Sequence, residues 1–392
     1  MRNYFLLLLI SLYSALLCAQ EKNITVTLQN AKTKEVIAGA SVSTDGSNVG
    51  AVSNDDGVFK ITVPKSSNLK ITHLSFKPIA VSVSDLKEEN PVLFMEENDF
   101  TLEEVIISKT PIYQLLAGLI ENSRAKLSNP IHLNTYCREF IKNHGKYTRF
   151  TDGLVDLHIK GKPKNIDVDA IALQNRSYGL NEEDEASDML IGFSLEDIIE
   201  KTYEFGIIKK LGTKSGSENY DYEIKSNPSD ENMYIIHLTP KSDVEELLYN
   251  VKIAYNINAK VILSIEYKIA DSHLKYSKER NFLIARALIK KNNFKANFKF
   301  DKGKYLLSST LVDMAFKIWN KRKINFDMEA KNALIVTDFK EETFSYDKKA
   351  VIKKGKLVKN GNNVKTNYWE FNSGLTPTAE EQAVIESLKN KQ

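Results

Sequence analysis

Alternating apolar and polar positions are the dominant pattern along most of this chain. Between Val261 and Ile269 every second side chain is apolar, and "FKANFKF" (294–300) places lysines and an asparagine between apolar residues. A period of two predicts a strand with one packed face and one wet face, as in antiparallel sheets. The same pattern recurs through much of the chain after residue 200 and predicts a large antiparallel sheet within residues 111–372.

Residues 23–98 show the pattern in shorter pieces. Segments such as "ITVTLQN" and "VFKITVP" are separated by turn signals, including Asp45-Gly46 and Asp56-Gly57. Asp-Gly pairs accept the positive φ that hairpin turns require. About seven short strands with closely spaced turns predict an immunoglobulin- or transthyretin-like β-sandwich. The predicted fold class is therefore mainly β, with this sandwich followed by an α+β domain.

Helical periodicity appears in only a few places. Apolar residues from Ile112 to Ile120 fall on one helical face, and Asn129-Pro130 ends that pattern, so a helix is predicted over 112–127. A second helix near 195–204 begins with a capping pattern at Ser194. A third is predicted over 376–390, and its start at Thr376-Pro377 or at Thr378 with Glu381 stays open. Residues 99–110, "DFTLEEVIISKT", are interpreted as a linker strand.

The first 19 residues have the pattern of an export signal. Arg2 precedes an apolar run of signal-peptide length, and cleavage after Ala19 is expected. Cys18 leaves open the alternative of a lipid anchor. If the signal is removed, Cys137 has no cysteine partner and is expected to be a buried small side chain. No later apolar stretch approaches about 18 residues, so no transmembrane span is expected in the mature chain.

Composition and charge narrow the function classes. The chain has 392 residues, 54 Lys+Arg against 51 Asp+Glu and a formal net charge of +3. Nearly balanced charges without a basic stripe argue against a nucleic-acid partner. The size suggests two or three domains with cores of their own.

The N-terminal motifs resemble a known module. Ala38-Gly39-Ala40-Ser41-Val42, and Gly50 through Phe59 with Asp55-Asp56-Gly57 between them, are similar to the carboxypeptidase-like regulatory domain, also found in TonB-dependent receptors. Lys77-Pro78 departs from the Gly-Tyr that the family usually carries. The resemblance implies a transthyretin-like accessory sandwich without chemistry of its own. Gly39 and Gly57 are expected at special backbone positions, and Phe59 in the core.

A second resemblance concerns cellular location. The predicted helix followed by "TYCREF" (135–140) is similar to exported Bacteroidetes proteins that carry the same module, in which the common string is Phe-Tyr-Arg-Glu. This resemblance implies export to the periplasm or the periplasmic face of the outer membrane. A receptor barrel of about 22 strands would need more chain than remains.

No catalytic, cofactor-binding or metal-binding residues are predicted. None of the six histidines has a zinc-peptidase spacing, and each is interpreted as a strand or loop residue. Asp152 and Asp156 share one strand face without an evident partner. Asp55-Asp56 is interpreted as a turn, and the five acids within 182–188 as a solvated loop. "LGTKSGSENY" (211–220) is interpreted as a turn.

Two function classes therefore remain. The first is a non-enzymatic envelope protein, in which the sandwich is an accessory module and the large sheet binds a lipid, a glycan or a protein. Its lipid version predicts a large apolar concavity in the sheet, and a concave face that is polar or plugged would argue against it. The alternative is a hydrolase whose active-site residues are dispersed within 111–372.

Overall fold

The structure is a computed structural model. It describes residues 21–44, 50–98, 110–162, 165–179, 193–227, 230–281, 285–301, 303–321, 324–342, 345–352, 355–371 and 373–391. The predicted signal peptide, most of the linker strand, the Asp45-Gly46 turn and the acidic segment 182–188 lie outside the described residues. By its internal contacts the chain forms two units. One unit contains the residues up to Asn98 together with Thr366–Gln382, and the other contains residues 99–365 and 383–392.

The first unit contains the predicted β-sandwich. Its described strands are β1 (Glu21–Asn30), β2 (Ser41–Thr44), β3 (Gly50–Val52), β4 (Val58–Pro64), β5 (Asn68–His73), β6 (Phe76–Ser82) and β7 (Val92–Met95). They form sheets of order β4-β1-β7 and β3-β2-β5-β6. Alternate side chains of β1, β4 and β5 meet in one apolar core that includes Phe59, fully buried.

Two glycines of this unit occupy the expected special positions. Gly39 and Gly57 have φ values of 72° and 73°. A Cβ at Gly57 would also lie 2.7 Å from the carbonyl oxygen of Leu28. Asn54 closes the adjacent turn, because its Oδ1 accepts hydrogen bonds from the backbone N–H groups of Asp56 and Val58. The turn at Asp55-Asp56 is therefore held by Asn54.

The second unit is built on one large antiparallel sheet. Its described strands are β8 (Ile131–Asn143), β9 (Lys146–Lys162), β10 (Asn165–Gly179), β11 (Tyr220–Asn227), β12 (Asp230–Pro240), β13 (Tyr249–Asn256), β14 (Val261–Ile269), β15 (Arg280–Asn281), β16 (Arg286–Asp301), β17 (Lys304–Trp319) and β18 (Asn325–Lys340). The sheet order is β10-β9-β8-β18-β17-β16-β14-β13-β12-β11, and β15 pairs with β16. The last strand of the sheet, β18, thus pairs with its first strand, β8. This pairing joins parts of the chain that are distant in sequence.

Helices are few in the described residues. They are α1 (Ile112–Lys126), α2 (Leu195–Tyr203), α3 (Gly206–Lys209), α4 (Lys214–Ser217) and α5 (Ala379–Lys389). Ser194 caps α2 by accepting from the Asp197 N–H. Thr378 and Glu381 form a reciprocal capping box, which decides the start of α5 in favour of Thr378. Segment 211–220 contains α4 rather than the simple turn that the sequence suggested.

Helix α1 defines the two faces of the large sheet. Ile112, Leu116 and Leu119 pack with the sheet residues Leu133 and Leu157 in one core. The α1 residue Ser123 also accepts a hydrogen bond from the backbone N–H of Ile262 on β14. We call this helix-covered face the inner face, and the opposite one the outer face.

Candidate functional site

The strand register aligns a row of inner-face side chains across the middle of the large sheet. Each member lies directly opposite the next on the neighbouring strand. We call this set the amphiphilic row, and its members are Tyr267, Phe294, Val312, Asn332, Glu139 and Thr151. The row changes from aromatic and aliphatic residues at the β14 end to amide, carboxyl and hydroxyl groups at the β9 end. The row is therefore apolar at its β14 end and polar at its β9 end.

The apolar end of the row consists of aromatic rings that remain partly accessible. The rings of Tyr267 and Phe294 stack with centroids 5.1 Å apart, and Tyr249 meets Tyr267 edge-on at 5.3 Å. All three are half-buried, as are the neighbouring inner-face residues Met314 and Phe316. Stacked aromatics of this kind provide a broad apolar contact surface. Helix α1 covers another part of the inner face, so the face is filled in part and accessible in part.

The polar end of the row is buried. Glu139 Oε2 accepts a hydrogen bond of 2.8 Å from the backbone N–H of Phe193. Burial raises the pKa of Glu139 to about 7, although that hydrogen bond and the charges of Lys356 and Arg149 oppose the change. The Glu139 carboxyl group therefore carries a proton through much of the range below neutral pH.

Two further polar atoms of the inner face are buried. Asn332 Oδ1 and Thr310 Oγ1 have no hydrogen-bond partner within the described part of the chain. Thr310 also lies on the inner face, because it is two residues from Val312 on β17 and opposite Leu334 on β18. Buried polar atoms are costly unless they are hydrogen-bonded. This end of the row thus offers acceptor and hydroxyl groups that a bound polar group would satisfy.

The outer face of the same strands carries a buried charged network. Arg176 Nε and Nη2 donate to the two carboxylate oxygens of Asp152 at 2.8 and 2.9 Å, and the Tyr136 hydroxyl donates to Asp152 at 2.9 Å. Burial raises the pKa of Tyr136, so its hydroxyl stays protonated. A bidentate arginine–carboxylate pair of this kind is a strong, orienting contact. It joins β9 to β10 and gives Asp152 the partner that the sequence did not reveal.

A second outer-face cluster gathers His132, Asp156 and His158. The two imidazole rings lie directly opposite each other on β8 and β9 and stack at 4.6 Å with an interplanar angle of 8°. His132 Nε2 lies 3.2 Å from Asp156 Oδ2, and Asn134 Nδ2 donates to Asp156 Oδ1 at 2.7 Å. Burial and the neighbouring His132 lower the pKa of His158. Both histidines lie on strands, one of the two positions expected from the sequence, and the pairing of β8 with β9 brings them together.

Asp169 organises the charges beside this cluster. Lys160 Nζ and Lys348 Nζ donate to Asp169 Oδ2 at 2.7 and 2.9 Å, and the Tyr346 hydroxyl also donates to it. Burial alone would raise the pKa of Asp169, but these hydrogen bonds together hold it well below its usual range. The ring of Tyr346 packs on His158 at 4.2 Å. The two lysine ammonium groups are therefore bound to Asp169.

Cys137 lies on β8, in the core of the inner face. It is a free, buried thiol, as the sequence predicted. Burial raises its pKa to about 12, which leaves almost no thiolate at neutral pH. Cys137 is therefore a packing residue.

Similar solved structures have low identity and low TM-scores. A DUF1329 family protein from Desulfovibrio piger is 11% identical with a TM-score of 0.29, and the match covers 62% of this chain and 100% of that one. A LolA superfamily protein from Nitrosomonas europaea is 9% identical with a TM-score of 0.19, over 62% and 99%. MucB in complex with MucA(peri) is 8% identical with a TM-score of 0.21, over 60% and 100%. Scores this low establish no shared function.

The N-terminal residues give a clear match to a family model. No curated protein matches this chain. Among the described residues, none of the helices has the length and apolar character needed to cross a membrane. Residues 24–107 match the model of the CarboxypepD_reg-like domain. The N-terminal part of the chain therefore carries a carboxypeptidase-like regulatory domain.

Proposed function

We propose that this chain is a non-enzymatic binding protein of the cell envelope, and that the inner face of its large sheet binds an amphiphile. The amphiphilic row is the observation that carries this proposal. An amphiphile has an apolar part and a polar part, and the row presents an apolar surface and buried polar groups in one line.

The apolar end supports an acyl chain as the apolar part of the ligand. Binding sites for small molecules are lined mainly by apolar and aromatic side chains, with few polar groups that fix orientation. Tyr267, Phe294 and Met314 supply such a surface and are only half-buried. An acyl chain lying along them would remove further apolar area from water, at about 25 cal/mol per Å².

The polar end favours a head group that donates hydrogen bonds. Asn332 Oδ1 accepts no hydrogen bond from the described residues, and Glu139 is a buried carboxyl group. A hydroxyl head group would donate to Asn332 Oδ1, whereas a carboxylate head group only accepts hydrogen bonds and would leave that oxygen unsatisfied. Above about pH 7 the carboxylate would also lie beside an ionised Glu139. A monoacylglycerol therefore fits the row better than the fatty acid of the same chain length.

The export part of the proposal rests on sequence. The pattern of residues 1–19 supports an export signal, and the regulatory domain supports an accessory role for the N-terminal unit. The periplasm or the periplasmic face of the outer membrane is the proposed location. Cleavage after Ala19 and lipidation of Cys18 are distinguished by the mass of the mature protein.

Ligand binding is tested with matched variants on one strand. Met314 lies on the inner face of β17, and Leu311 lies on the outer face of the same strand and is also half-buried. Native mass spectrometry of the purified protein, followed by titration with a dansyl-labelled monoacylglycerol, measures binding. Met314→Lys is expected to weaken binding at least about tenfold, because a lysine ammonium must lose its hydration beside the acyl chain. Leu311→Lys is expected to leave it unchanged.

Three outcomes would contradict the proposal. They are the absence of binding to a folded protein, an equal loss in both lysine variants, and tighter binding of the fatty acid than of the monoacylglycerol. Release of free fatty acid from the monoacylglycerol during the titration would instead support the hydrolase alternative.

A further inference from the structure

The outer-face cluster of His132, Asp156 and His158 brings three metal-ligating side chains together near one end of the sheet. One ligand atom from each residue lies within 4.8 Å of the other two. The histidines come from neighbouring strands at directly opposed positions, and Asp156 precedes His158 by two residues on the same strand face. The backbone of the hairpin therefore holds all three side chains on one face.

We propose that His132, Asp156 and His158 form a binding site for a first-row divalent cation such as Zn²⁺. Two imidazole nitrogens and one carboxylate oxygen are ligands that Zn²⁺ commonly takes in proteins, whereas Ca²⁺ and Mg²⁺ prefer oxygen ligands alone. The site lies on the face opposite the amphiphilic row and does not depend on the function proposed for that row.

The burial of the histidines supports a ligand role. His158 is 3% exposed, and its Nδ1 has no hydrogen-bond partner among the residues that the structure describes. A buried imidazole nitrogen without a partner is costly, and a cation coordinated by Nδ1 in the plane of the ring would satisfy it. The buried Nδ1 of His158 thus supports a bound cation at this position.

The surroundings of Asp156 match those of a metal-binding carboxylate. Asn134 donates to Oδ1 and leaves Oδ2 directed at His132, at 3.2 Å from Nε2. Hydrogen bonds of this kind orient the ligands of a metal and are part of the site. Lys160 and Lys348 donate to Asp169, which lies directly opposite His158 on β10, so these two ammonium groups are held by another carboxylate.

Metal binding requires a small movement of the imidazole rings. A bound metal ion lies close to the plane of each imidazole, and the two rings are nearly parallel, at 8°. The rings must therefore tilt toward each other when the site is loaded. Three protein ligands leave one position of a tetrahedral site for water.

The proposal is tested by titrating the purified protein with ZnCl₂ in a calorimeter and with CoCl₂ in a spectrophotometer. The wild-type protein is expected to bind one ion per chain, with a visible Co²⁺ absorption band. His158→Gln and Asp156→Asn each remove one ligand, and Asn134→Ala removes the hydrogen bond to Asp156. Each variant is expected to weaken Zn²⁺ binding at least about tenfold.

The matched controls are His237→Gln and Asp313→Asn, on the outer face of the same sheet and outside the cluster. Both are expected to retain wild-type affinity. Absence of stoichiometric Zn²⁺ and Co²⁺ binding by the folded wild-type protein overturns the proposal. Undiminished binding by His158→Gln or Asp156→Asn, or an equal loss in the controls, overturns it as well.

A further measurement does not depend on the folding of any variant. In ¹⁵N histidine spectra of the wild-type protein, Zn²⁺ is expected to shift the ring nitrogens of two of the six histidines. Spectra that stay unchanged, or changes confined to other histidines, would contradict the site.

Discussion

The two faces of strands β8, β9 and β10 bury carboxyl groups in different ways. On the outer face, Asp152 is held by a bidentate pair with Arg176 and by the Tyr136 hydroxyl. On the inner face, Glu139 accepts hydrogen bonds from the Phe193 N–H and from the Asn332 side chain, yet burial still raises its pKa to about 7. The outer face thus pairs its buried carboxyl group with a guanidinium, whereas burial on the inner face favours the neutral form of Glu139.

This difference separates a structural role from a binding role. A carboxylate that two strong donors already satisfy has little to offer a ligand, and it ties two strands together. A carboxyl group at the end of an apolar row, near other buried acceptor atoms, can still take a hydrogen bond from a ligand. We therefore expect substitutions on the outer face to affect stability, and those on the inner face to affect both pH dependence and binding.

The largest expected effect is the removal of the arginine from the outer-face pair. Arg176→Ala removes the guanidinium that forms a bidentate pair with Asp152, which is fully buried. Breaking a buried ion pair by removing one partner costs about 3–5 kcal/mol. Urea denaturation should show this loss in the free energy of unfolding. A loss below 1 kcal/mol would mean that water or another group replaces the guanidinium, and the outer face would then not depend on pairing.

The second prediction concerns the pH dependence that Glu139 imposes. The folded pKa of about 7 lies above the unfolded value near 4.5, so the folded state binds the proton more tightly. Below pH 4.5 both states are protonated. Between pH 4.5 and 7 the unfolded state ionises first, so stability falls as pH rises, by up to about 3 kcal/mol, and the loss persists above pH 7.

Glu139→Gln is the variant that checks this prediction. The amide imitates the protonated carboxyl group, so the variant should lack this component of the pH dependence. Free energies of unfolding of both proteins at pH 5 and pH 8, measured in urea, give the comparison. Equal pH dependence of the two proteins would show that Glu139 is ionised in the fold at little cost.

A third prediction uses the thiol of Cys137 on the inner face. Its pKa of about 12 and its burial should make it unreactive toward Ellman's reagent in the folded protein. In urea above the unfolding transition it should react at the rate of a free cysteine. Fast reaction without denaturant would indicate that the inner-face core around β8 opens readily. Thr135 contacts the thiol, so the same measurement on Thr135→Val tests whether this contact affects the reactivity of Cys137.

The general architecture could be predicted because its signals are local. The period of two, the Asp-Gly turn at residues 56–57 and the capping residue Ser194 each act within a few positions. The sandwich and large antiparallel sheet confirm those patterns. The sequence does not decide whether α5 starts at Thr376 or at Thr378, because both positions fit the local pattern of a helix start. The reciprocal hydrogen bonds between Thr378 and Glu381 decide it in the structure.

The candidate sites could not be predicted because they depend on register and on distant pairings. Regular pairing outward from the turn between β8 and β9, at His144-Gly145, would set His132 opposite Leu157. The bulge between Ile141 and Lys142 shifts the register by one and brings His132 opposite His158. The amphiphilic row depends on β18 pairing with β8, which no local pattern indicates. The histidine pair could have been found by pairing residues outward from the turn and allowing one bulge in β8 or β9.

The smallest expected effect belongs to an ion pair on the exposed part of the outer face. Lys317 and Asp327 lie opposite each other on β17 and β18 at 3.5 Å, with side chains 33% and 59% exposed. Exposed pairs contribute about 0–1 kcal/mol, because water screens the charges and both side chains lose freedom. Lys317→Ala should therefore change the free energy of unfolding by less than about 1 kcal/mol, and added salt should reduce even that. A loss comparable to that of Arg176→Ala would mean that burial is not what distinguishes the two ion pairs, and the contrast between the carboxyl groups of Asp152 and Glu139 would then need another physical basis.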